Sequence, residues 1–433
     1  MSATEGTGDR RRFIVTSLGC KVNQAEAAWL EAELRRRGLE PAGPERKADL
    51  AVLFTCSVTG PAARQSRQMA RRLAAAHPGA RVVVTGCDLQ AEPGAYREEG
   101  FTVLGRWELS RAPELLAGGA SPSALAPPAS GRFCPGLELP GPRRTRGLLK
   151  VQDGCNAGCA YCIVPSTRGP SRSLDPKQAQ RQWQELGRSG AREVVLTGIH
   201  LGRYGRDLDG GPDLAGLVEL LLAAHPGPRL RLSSLEASEV TPKLMELMER
   251  QERICPHLHL PLQSGCDQVL RAVGRPYRAR DYAQVVRELS RRLPGLCLGA
   301  DLLVGLPGED QEAFEQTLAL VEELPLAYLH VFPYSPRPGT PAAERERPSP
   351  PVAKERAARL RRLGWEKWLA YLGGQVGRTL EVVVEGSGLG RSQNYCLVEL
   401  GRELEPGSLV RVEVEELAGQ AAPPRLRGRL LAL

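Results

Sequence analysis

The chain has 433 residues, 42% of them hydrophobic and 25% charged, and carries a formal net charge of +8. This composition excludes a fibrous or wholly disordered chain, and 11 cysteines are too few for a disulfide scaffold of this length. The apolar runs are too short to span a membrane, and the first residues lack the apolar core of a signal peptide. We therefore expect a cytoplasmic protein of about three domains, with reduced cysteines and no membrane partner.

The first domain, predicted over residues 11–115, alternates strand and helix patterns. Its apolar, β-rich runs are Phe13–Gly19, Leu50–Cys56 and Arg81–Cys87. The stretches between them, 22–37 and 60–77, have helical periodicity. This alternation predicts an open parallel α/β sheet. Residues 116–145, rich in Pro, Gly, Ala and Ser, have the composition of a linker.

The central domain, predicted over residues 146–372, contains six strand patterns that alternate with helical ones. The predicted strands are Leu148–Gln152, Glu193–Gly198, Arg229–Leu235, His257–Leu262, Cys297–Val304 and Tyr328–Phe332. Six β/α units in succession predict a partial (β/α)6 barrel, with the active site on the loops that follow the strands. Residues 373–433 alternate Val and Glu between Gly turns, which predicts a small all-β barrel.

Three cysteines, Cys155, Cys159 and Cys162, form a tight run after the first barrel strand. Three thiolates in one loop can hold three irons of a [4Fe–4S] cluster and leave the fourth iron open to a chelating molecule. A zinc site or a redox pair are the alternatives. Structural zinc sites need four ligands, usually as two separated pairs, and no second pair follows here.

Three further cysteines, Cys20, Cys56 and Cys87, each end a predicted parallel strand. In an open α/β sheet these strand ends line one crevice, so the three thiolates would converge in space. Together they are enough for a second cluster with one open iron. Each cysteine taken alone would be read as a small buried hydrophobe, but three equivalent positions argue against that reading.

The run around Tyr161, CxxxCxYC, resembles the signature of radical S-adenosylmethionine (SAM) enzymes. The segments Leu18–Gln24, Thr55–Thr59 and Thr85–Cys87 resemble the N-terminal domain of the methylthiotransferases, which replace C–H with C–S–CH3. Two positions depart from that family: Phe54 stands where Asn is usual, and the residues after Cys87 (Asp88–Gln90) are less typical.

Seven segments are most similar to the tRNA N6-threonylcarbamoyladenosine methylthiotransferases. Among them are QDGCNAGCAYCIVPSTRGPSRS, VVLTGIHLGRYG and LHVFPYSPRPGTPAA. The resemblance implies methylthiolation at C2 of the modified adenosine beside the anticodon, the tRNA anticodon stem-loop as partner, and an electron donor such as flavodoxin or ferredoxin. Relatives that act on isopentenyladenosine or on a ribosomal-protein aspartate are alternatives. A non-catalytic, metal-containing RNA-binding protein is an alternative from another class.

The resemblance also implies two [4Fe–4S] clusters and two SAM molecules per turnover. One SAM would methylate sulfur associated with the Cys20, Cys56 and Cys87 cluster, and the other, on the second cluster, would yield a 5′-deoxyadenosyl radical. We predict no acid–base pair. The residues expected to hold SAM at the barrel strand ends are Tyr161, Gly198, Ser234, Glu236, Gln263 and Ser264.

Other polar residues have weaker assignments. His257 and His259 share one side of a strand, and we interpret them as satisfied interior histidines rather than metal ligands. Substrate phosphate or carboxylate is a candidate partner of Arg168, Arg172 and Arg203. The C-terminal module resembles a TRAM domain, which binds tRNA in relatives, although its acidic residues slightly outnumber its basic ones.

Overall fold

The computed structural model describes residues 11–43, 46–118, 145–223, 227–419 and 423–431. These residues form two compact units. Unit 1 comprises the described parts of Met1–Pro140 together with Ile163–Gly169, and unit 2 comprises those of Gly141–Cys162 and Pro170–Leu433. Nearly all of the predicted linker lies outside the described residues, as does Cys134. Within these ranges, no helix has both the length and the apolar character needed to span a bilayer.

Unit 1 contains a five-stranded parallel sheet. Its elements up to the linker are β1 (Arg12–Ser17), α1 (Lys21–Arg36), β2 (Glu40–Pro41), β3 (Leu50–Thr55), α2 (Gly60–Ala76), β4 (Arg81–Gly86), α3 (Cys87–Ala91), α4 (Gly94–Arg97), β5 (Thr102–Val103) and α5 (Ala112–Ala117). The strand order is β2-β1-β3-β4-β5, and all pairs are parallel. The expected open parallel α/β sheet is confirmed.

The central strand β3 is apolar throughout because both of its faces are covered. Its residues Val52 and Phe54 pack in a core that includes side chains of α1 and α5. The alternate residues Ala51 and Leu53 pack in a second core that includes side chains of α2. Two-sided burial is the reason why this strand shows a continuous hydrophobic run rather than an alternating pattern.

Unit 2 begins with a partial barrel of six parallel strands, interrupted once when the chain enters unit 1. The elements after the linker are β6 (Gly147–Lys150), β7 (Gln152–Asp153), α6 (Val164–Arg168, in unit 1), β8 (Arg172–Ser173), α7 (Pro176–Arg188), β9 (Glu193–Thr197), α8 (Leu214–Leu222), β10 (Arg229–Leu232), α9 (Pro242–Arg250), β11 (His257–His259), α10 (Asp267–Ala272), α11 (Ala279–Arg292), β12 (Cys297–Val304), α12 (Gln311–Glu323), β13 (Tyr328–Pro333) and α13 (Pro350–Gly373).

The six barrel strands form two parallel sheets of three, with orders β10-β9-β6 and β11-β12-β13. Four of the helices between them begin after a side chain that accepts a hydrogen bond from the backbone N–H three residues on. The capping residues are Asp175, Asp213, Thr241 and Asp310. The expected succession of β/α units is confirmed.

The C-terminal module of unit 2 is a closed five-stranded barrel. Its strands are β14 (Thr379–Gly386), β15 (Leu389–Ser392), β16 (Leu397–Glu399), β17 (Leu409–Ala418) and β18 (Arg425–Leu430), in the order β14-β15-β16-β18-β17. Alternate valines of these strands, among them Val382 and Val384 on β14, fill the interior. The expected small all-β barrel is confirmed.

A buried carboxylate ties this module to the central barrel. Glu193 on β9 is fully buried and receives N–H donors from Arg229 and Arg231 of the adjacent strand β10, each at 2.7 Å. The other guanidinium N–H groups donate to backbone carbonyls of the module, including Glu381 and Ser392 at 3.0 Å. Burial opposes the charge of Glu193, but the arginines prevail and lower its pKa to about 2.

We expect Glu193→Gln to lower the free energy of unfolding by about 3–5 kcal/mol, because two buried guanidinium groups lose their counter-ion. Urea unfolding followed by circular dichroism measures the change. The matched control is Glu219→Gln, whose carboxylate pairs with Lys243 at an exposed position and should change stability by under about 0.5 kcal/mol.

The same carboxylate predicts an acid-sensitive contribution. Its pKa in the folded protein is depressed to about 2, below the unfolded value near 4.5, so the stabilisation is present above the unfolded pKa. It is lost as the pH falls from about 4.5 through 2. The stability difference between wild type and Glu193→Gln should therefore shrink across that range, and a difference that is constant with pH would contradict the assignment.

Candidate functional site

The cysteines of unit 1 follow three neighbouring parallel strands. Cys20 immediately precedes α1, Cys56 follows β3, and Cys87 is the first residue of α3, directly after β4. Strands β1, β3 and β4 are adjacent in the sheet, so all three cysteines lie at one edge of it. Burial, with smaller contributions from the neighbouring thiols of Cys87 and Cys20, raises the pKa of the Cys56 thiol to about 12.

Two glycines permit the close approach of these loops. Gly19 has φ +87°, and a Cβ there would lie 2.7 Å from the Cys56 sulfur. Gly86 has φ +101°, and a Cβ there would lie 2.5 Å from the backbone nitrogen of Thr55. Any side chain would therefore both strain the backbone and push the cysteine loops apart.

A buried polar network supports this sheet edge. The Asn23 amide donates to the carbonyls of Leu18 (2.8 Å) and Thr55 (2.9 Å), the residues that precede the Cys20 and Cys56 loops. Its oxygen accepts a 2.6 Å hydrogen bond from Arg168, and the same guanidinium donates to the Cys87 sulfur at 3.2 Å. The network thus connects all three cysteine loops.

Arg168 lies on α6, the segment that follows Cys162 and packs in unit 1. It is fully buried and lies 3.4 Å from Glu26, whose carboxylate also forms a two-pronged pair with Arg106. The expectation that Arg168 meets substrate phosphate or carboxylate is wrong, because the side chain is enclosed and its donors are used within unit 1.

The two departures from the family pattern have structural roles. Phe54 is fully buried in the apolar core beneath the sheet. Asp88 is also buried, and its carboxylate accepts a 2.7 Å hydrogen bond from the hydroxyl of Tyr96. Both residues are therefore part of the buried structure next to the cysteine loops. Cys20, Cys56 and Cys87 themselves are free cysteines, without disulfides.

The cysteine loop of unit 2 follows β7. Gln152 on that strand donates to the carbonyls of Asp153 (3.0 Å) and Gly154 (2.8 Å), at the start of the loop. Its side-chain oxygen accepts a 2.7 Å hydrogen bond from the backbone N–H of His200, in the loop after β9. Cys155, Cys159 and Cys162 are all half-buried and free of disulfides.

Two of these thiols have a cationic side chain beside them, and each cation has a carboxylate partner. His200 Nδ1 lies 3.3 Å from the Cys155 sulfur, and its Nε2 lies 2.9 Å from Glu239. Burial opposes the charge on His200, but both contacts favour it and raise its pKa to about 9. Arg275 donates to the Cys159 sulfur at 3.5 Å and pairs with Glu236.

The free thiols of both triads have the chemistry of metal ligands. N–H donors beside the sulfurs of Cys87, Cys155 and Cys159 suit iron–sulfur ligation. Among the described residues, three metal-binding side chains come within 4.8 Å of one another at His259, Asp301 and His330.

The residues predicted to hold SAM occupy different environments. Tyr161 is half-buried and packs against an apolar cluster that includes Val269 and Leu306, while Ser234 is exposed. Gln263 is buried with φ 69°, and Ser264 is buried with its hydroxyl 3.2 Å from that of Thr317. Gly198 follows β9, and a Cβ there would lie 2.9 Å from Gln152. Glu236 is engaged by Arg275.

A ladder of polar rings lines strands β11 to β13. The Tyr328 hydroxyl lies 2.8 Å from His257 Nε2 and 3.1 Å from His259 Nδ1. The other side of His259 contacts Asp301 at 2.9 Å, and His330 contacts the same carboxylate at 3.3 Å. Despite its burial, Asp301 has a pKa well below its usual range because both histidines contact it. His257 and His259 are both buried, as expected for interior histidines, and His259 also belongs with Asp301 and His330 to a group of side chains close enough to hold a metal ion.

Sequence reasoning assigned no role to His200 and Arg275, which contact thiols, or to Glu239, which contacts His200. The signal that could have found His200 is its position just after a barrel strand, within the segment VVLTGIHLGRYG. Arg203 pairs with Glu239 at 3.1 Å.

Beside the Cys155 loop is a cavity of about 100 Å³; its lining is Asn156, Ala157, Ser171, His200, Arg203, Arg206 and Asp207. Arg172 is mostly buried, 3.9 Å from Asp153.

Comparison with protein-family models gives two matches. The model described as "Radical SAM superfamily" matches residues 149–321, and the model described as "Uncharacterized protein family UPF0004" matches residues 12–104. The first match contains the Cys155, Cys159 and Cys162 loop, and the second contains the three cysteines of unit 1.

The similar curated proteins cover almost the whole chain. A threonylcarbamoyladenosine tRNA methylthiotransferase of Bacillus subtilis is 35% identical over 92% of this chain and 92% of its own length. One of the same name from Rickettsia prowazekii is 34% identical over 93% and 94%. A tRNA-2-methylthio-N(6)-dimethylallyladenosine synthase of Moorella thermoacetica is 33% identical over 94% and 96%.

Among solved structures, the radical SAM methyltransferase TsrM of Kitasatospora setae, with cobalamin and a [4Fe–4S] cluster bound, matches with a TM-score of 0.57. The match covers 77% of each chain at 16% sequence identity. At that identity the likeness establishes the shared fold.

We expect Arg168→Leu to destabilise the protein by about 2 kcal/mol or more, because in a buried site it removes the donor to the Asn23 oxygen and one of the cationic partners of Glu26. Arg168→Lys should recover only part of the loss, since an ammonium cannot reproduce the fork of donors. Thermal unfolding measures both. Arg64→Leu, at an exposed position on α2, is the control. Equal midpoints for Arg168→Leu and Arg64→Leu would contradict the role of the network.

Proposed function

The chain belongs to the methylthiotransferase family of radical SAM enzymes, and we propose that it adds a methylthio group to C2 of N6-threonylcarbamoyladenosine beside the anticodon of tRNA. The enzyme class rests on relatives of 31–35% identity that span most of the chain and on the radical SAM domain match. The arrangement of thiols in both units supports the same chemistry.

The observation that carries the substrate is the activity for which the relatives from Bacillus subtilis, Rickettsia prowazekii and Aquifex aeolicus are named. Each covers at least 92% of this chain, and each is named for threonylcarbamoyladenosine. The second candidate is the dimethylallyladenosine of tRNA, because relatives with that activity reach 34% identity over similar lengths.

Two iron–sulfur sites follow from the two triads. We assign one [4Fe–4S] cluster to Cys20, Cys56 and Cys87 and the other to Cys155, Cys159 and Cys162. When bound, the cluster of Cys155, Cys159 and Cys162 would supply an open iron able to chelate SAM and an electron for its reductive cleavage.

The chain's own residues hold and shield these sites. In unit 2, Gln152 organises the start of the cysteine loop, and His200 and Arg275 present N–H groups to ligand sulfurs. In unit 1, Asn23 and Arg168 hold the loops that carry the thiols. We propose that SAM contacts the residues at the barrel strand ends, which are Tyr161, Gly198, Ser234, Glu236, Gln263 and Ser264. Glu236 also pairs with Arg275 and so orients that side chain.

The partners are tRNA and a low-potential electron donor such as flavodoxin or ferredoxin. The C-terminal barrel is the proposed TRAM-like tRNA-binding module. Its arginines on β18 already pair with glutamates: Arg425 lies 3.0 Å from Glu399, and Arg427 lies 2.7 Å from Glu416. Binding of RNA phosphates would have to displace these exposed pairs, which are individually weak.

Counting iron tests the two-cluster assignment. Anaerobically reconstituted wild type should contain about 8 iron and 8 sulfide per chain, and replacing either cysteine triad with Ala should leave about 4 of each. Replacement of Cys266 and Cys297, which are buried outside both triads, should leave the count unchanged. A single zinc ion, or loss of all iron from both triple variants, would contradict independent clusters.

Nucleoside mass spectrometry tests the substrate. Transfer RNA from a strain that lacks the gene should lose 2-methylthio-N6-threonylcarbamoyladenosine and keep the unthiolated precursor. The wild-type gene should restore the product, and the Cys155→Ala variant should not. Loss of the methylthio group from dimethylallyladenosine instead would establish the second candidate, and unchanged tRNA would reject both.

A further inference from the structure

The contact of His200 with Cys155 has a consequence for electron transfer. His200 makes one backbone contact and two ring contacts. Its backbone N–H donates to Gln152 at 2.7 Å, Nδ1 of its ring lies 3.3 Å from the Cys155 sulfur, and Nε2 lies 2.9 Å from Glu239. The His200 side chain is 11% exposed and that of Glu239 is 5% exposed. The imidazole is therefore fixed between two anionic groups and mostly screened from water.

The direction of the hydrogen bond follows from the partners. A carboxylate accepts only, and a cysteine sulfur that ligates iron is a thiolate and also accepts only. Nδ1 of His200 faces the Cys155 sulfur, so a hydrogen bond between them requires Nδ1–H as the donor. Glu239 cannot swing away freely, since it packs against the backbone at Gly202, where an added Cβ would lie 2.0 Å from its carboxylate oxygen.

A hydrogen bond to a ligand sulfur withdraws electron density from an iron–sulfur site and favours its reduced state. We propose that His200, oriented by Glu239, is a positioning residue that raises the reduction potential of the cluster held by Cys155, Cys159 and Cys162, and so makes its one-electron reduction easier. The inference rests on the proposed cluster assignment. Arg275 is a second donor in the same loop, at 3.5 Å from Cys159.

The test is an EPR-monitored redox titration of reconstituted full-length protein with dithionite as reductant. The Cys20→Ala/Cys56→Ala/Cys87→Ala background leaves only the cluster of unit 2, so the signal has one source. His200→Leu removes the hydrogen-bond donor and should therefore shift the ratio of reduced to oxidised cluster about tenfold toward oxidised at a given potential. This corresponds to a reduction potential lower by about 59 mV for a one-electron couple.

His200→Asn provides the rescue, because its amide N–H occupies a position close to that of Nδ1–H. Its potential should stay near that of the parent, and Glu239→Gln should give a smaller shift than His200→Leu. The matched control is His77→Leu in unit 1, whose ring accepts a hydrogen bond from the backbone N–H of Ala48 and contacts no cysteine. That variant should titrate like the parent.

An unchanged potential in His200→Leu, or equal shifts in His200→Leu and His200→Asn, would overturn the inference. Should His200→Leu fail to hold iron, the parent protein with 15N-labelled histidine gives the answer, because a hydrogen-bonded ring nitrogen must couple to the reduced cluster in HYSCORE spectra. Absence of that coupling overturns the inference as well. Absence of any cluster in the background variant would instead reject the proposed cluster assignment.

Discussion

Three cysteine sulfurs in half-buried loops each lie beside a cationic side chain, and much of the polar structure of this protein is built around those contacts. Arg168 contacts the sulfur of Cys87, His200 that of Cys155 and Arg275 that of Cys159. A buried cation is itself costly, so each of these donors has a carboxylate partner: Glu26, Glu239 and Glu236. The same series of contacts, from sulfur to cation to carboxylate, therefore occurs in both units.

The backbone places those layers through one topological rule. Parallel strands of a sheet end on the same edge, so loops that are far apart in sequence meet there. In unit 1 the rule brings together Cys20, Cys56 and Cys87. In unit 2 the parallel pair of β6 and β9 brings the loop after β9, with His200, to the cysteine loop that follows β6 and β7. The glycines at 19 and 86 then allow the closest approaches, where a Cβ would collide with a neighbouring loop.

The strands and helices were largely predictable because their signals are local. The strand Cys297–Val304, for example, has the predicted bounds. The six cysteines were recognisable from their spacing and from their positions at strand ends. The partners of the thiols were not, because they come from segments up to 116 residues away, as the contact of Arg275 with Cys159 illustrates. Arg168 was misjudged since an arginine in a polar segment looks exposed until its burial is known.

The sequence by itself determined the class of fold, the cysteine triads and the kinship with methylthiotransferases, because periodicity and motif spacing are written along the chain. Only the tertiary structure decided that α6, directly after Cys162, packs in the unit of the other triad, that Phe54 and Asp88 are core residues, and that His200 faces a ligand sulfur. Such choices depend on which surfaces can be desolvated together and which charges can be paired in the same small volume. The free energies of burial and charge pairing add up over residues that are far apart in the sequence, so no local pattern contains them.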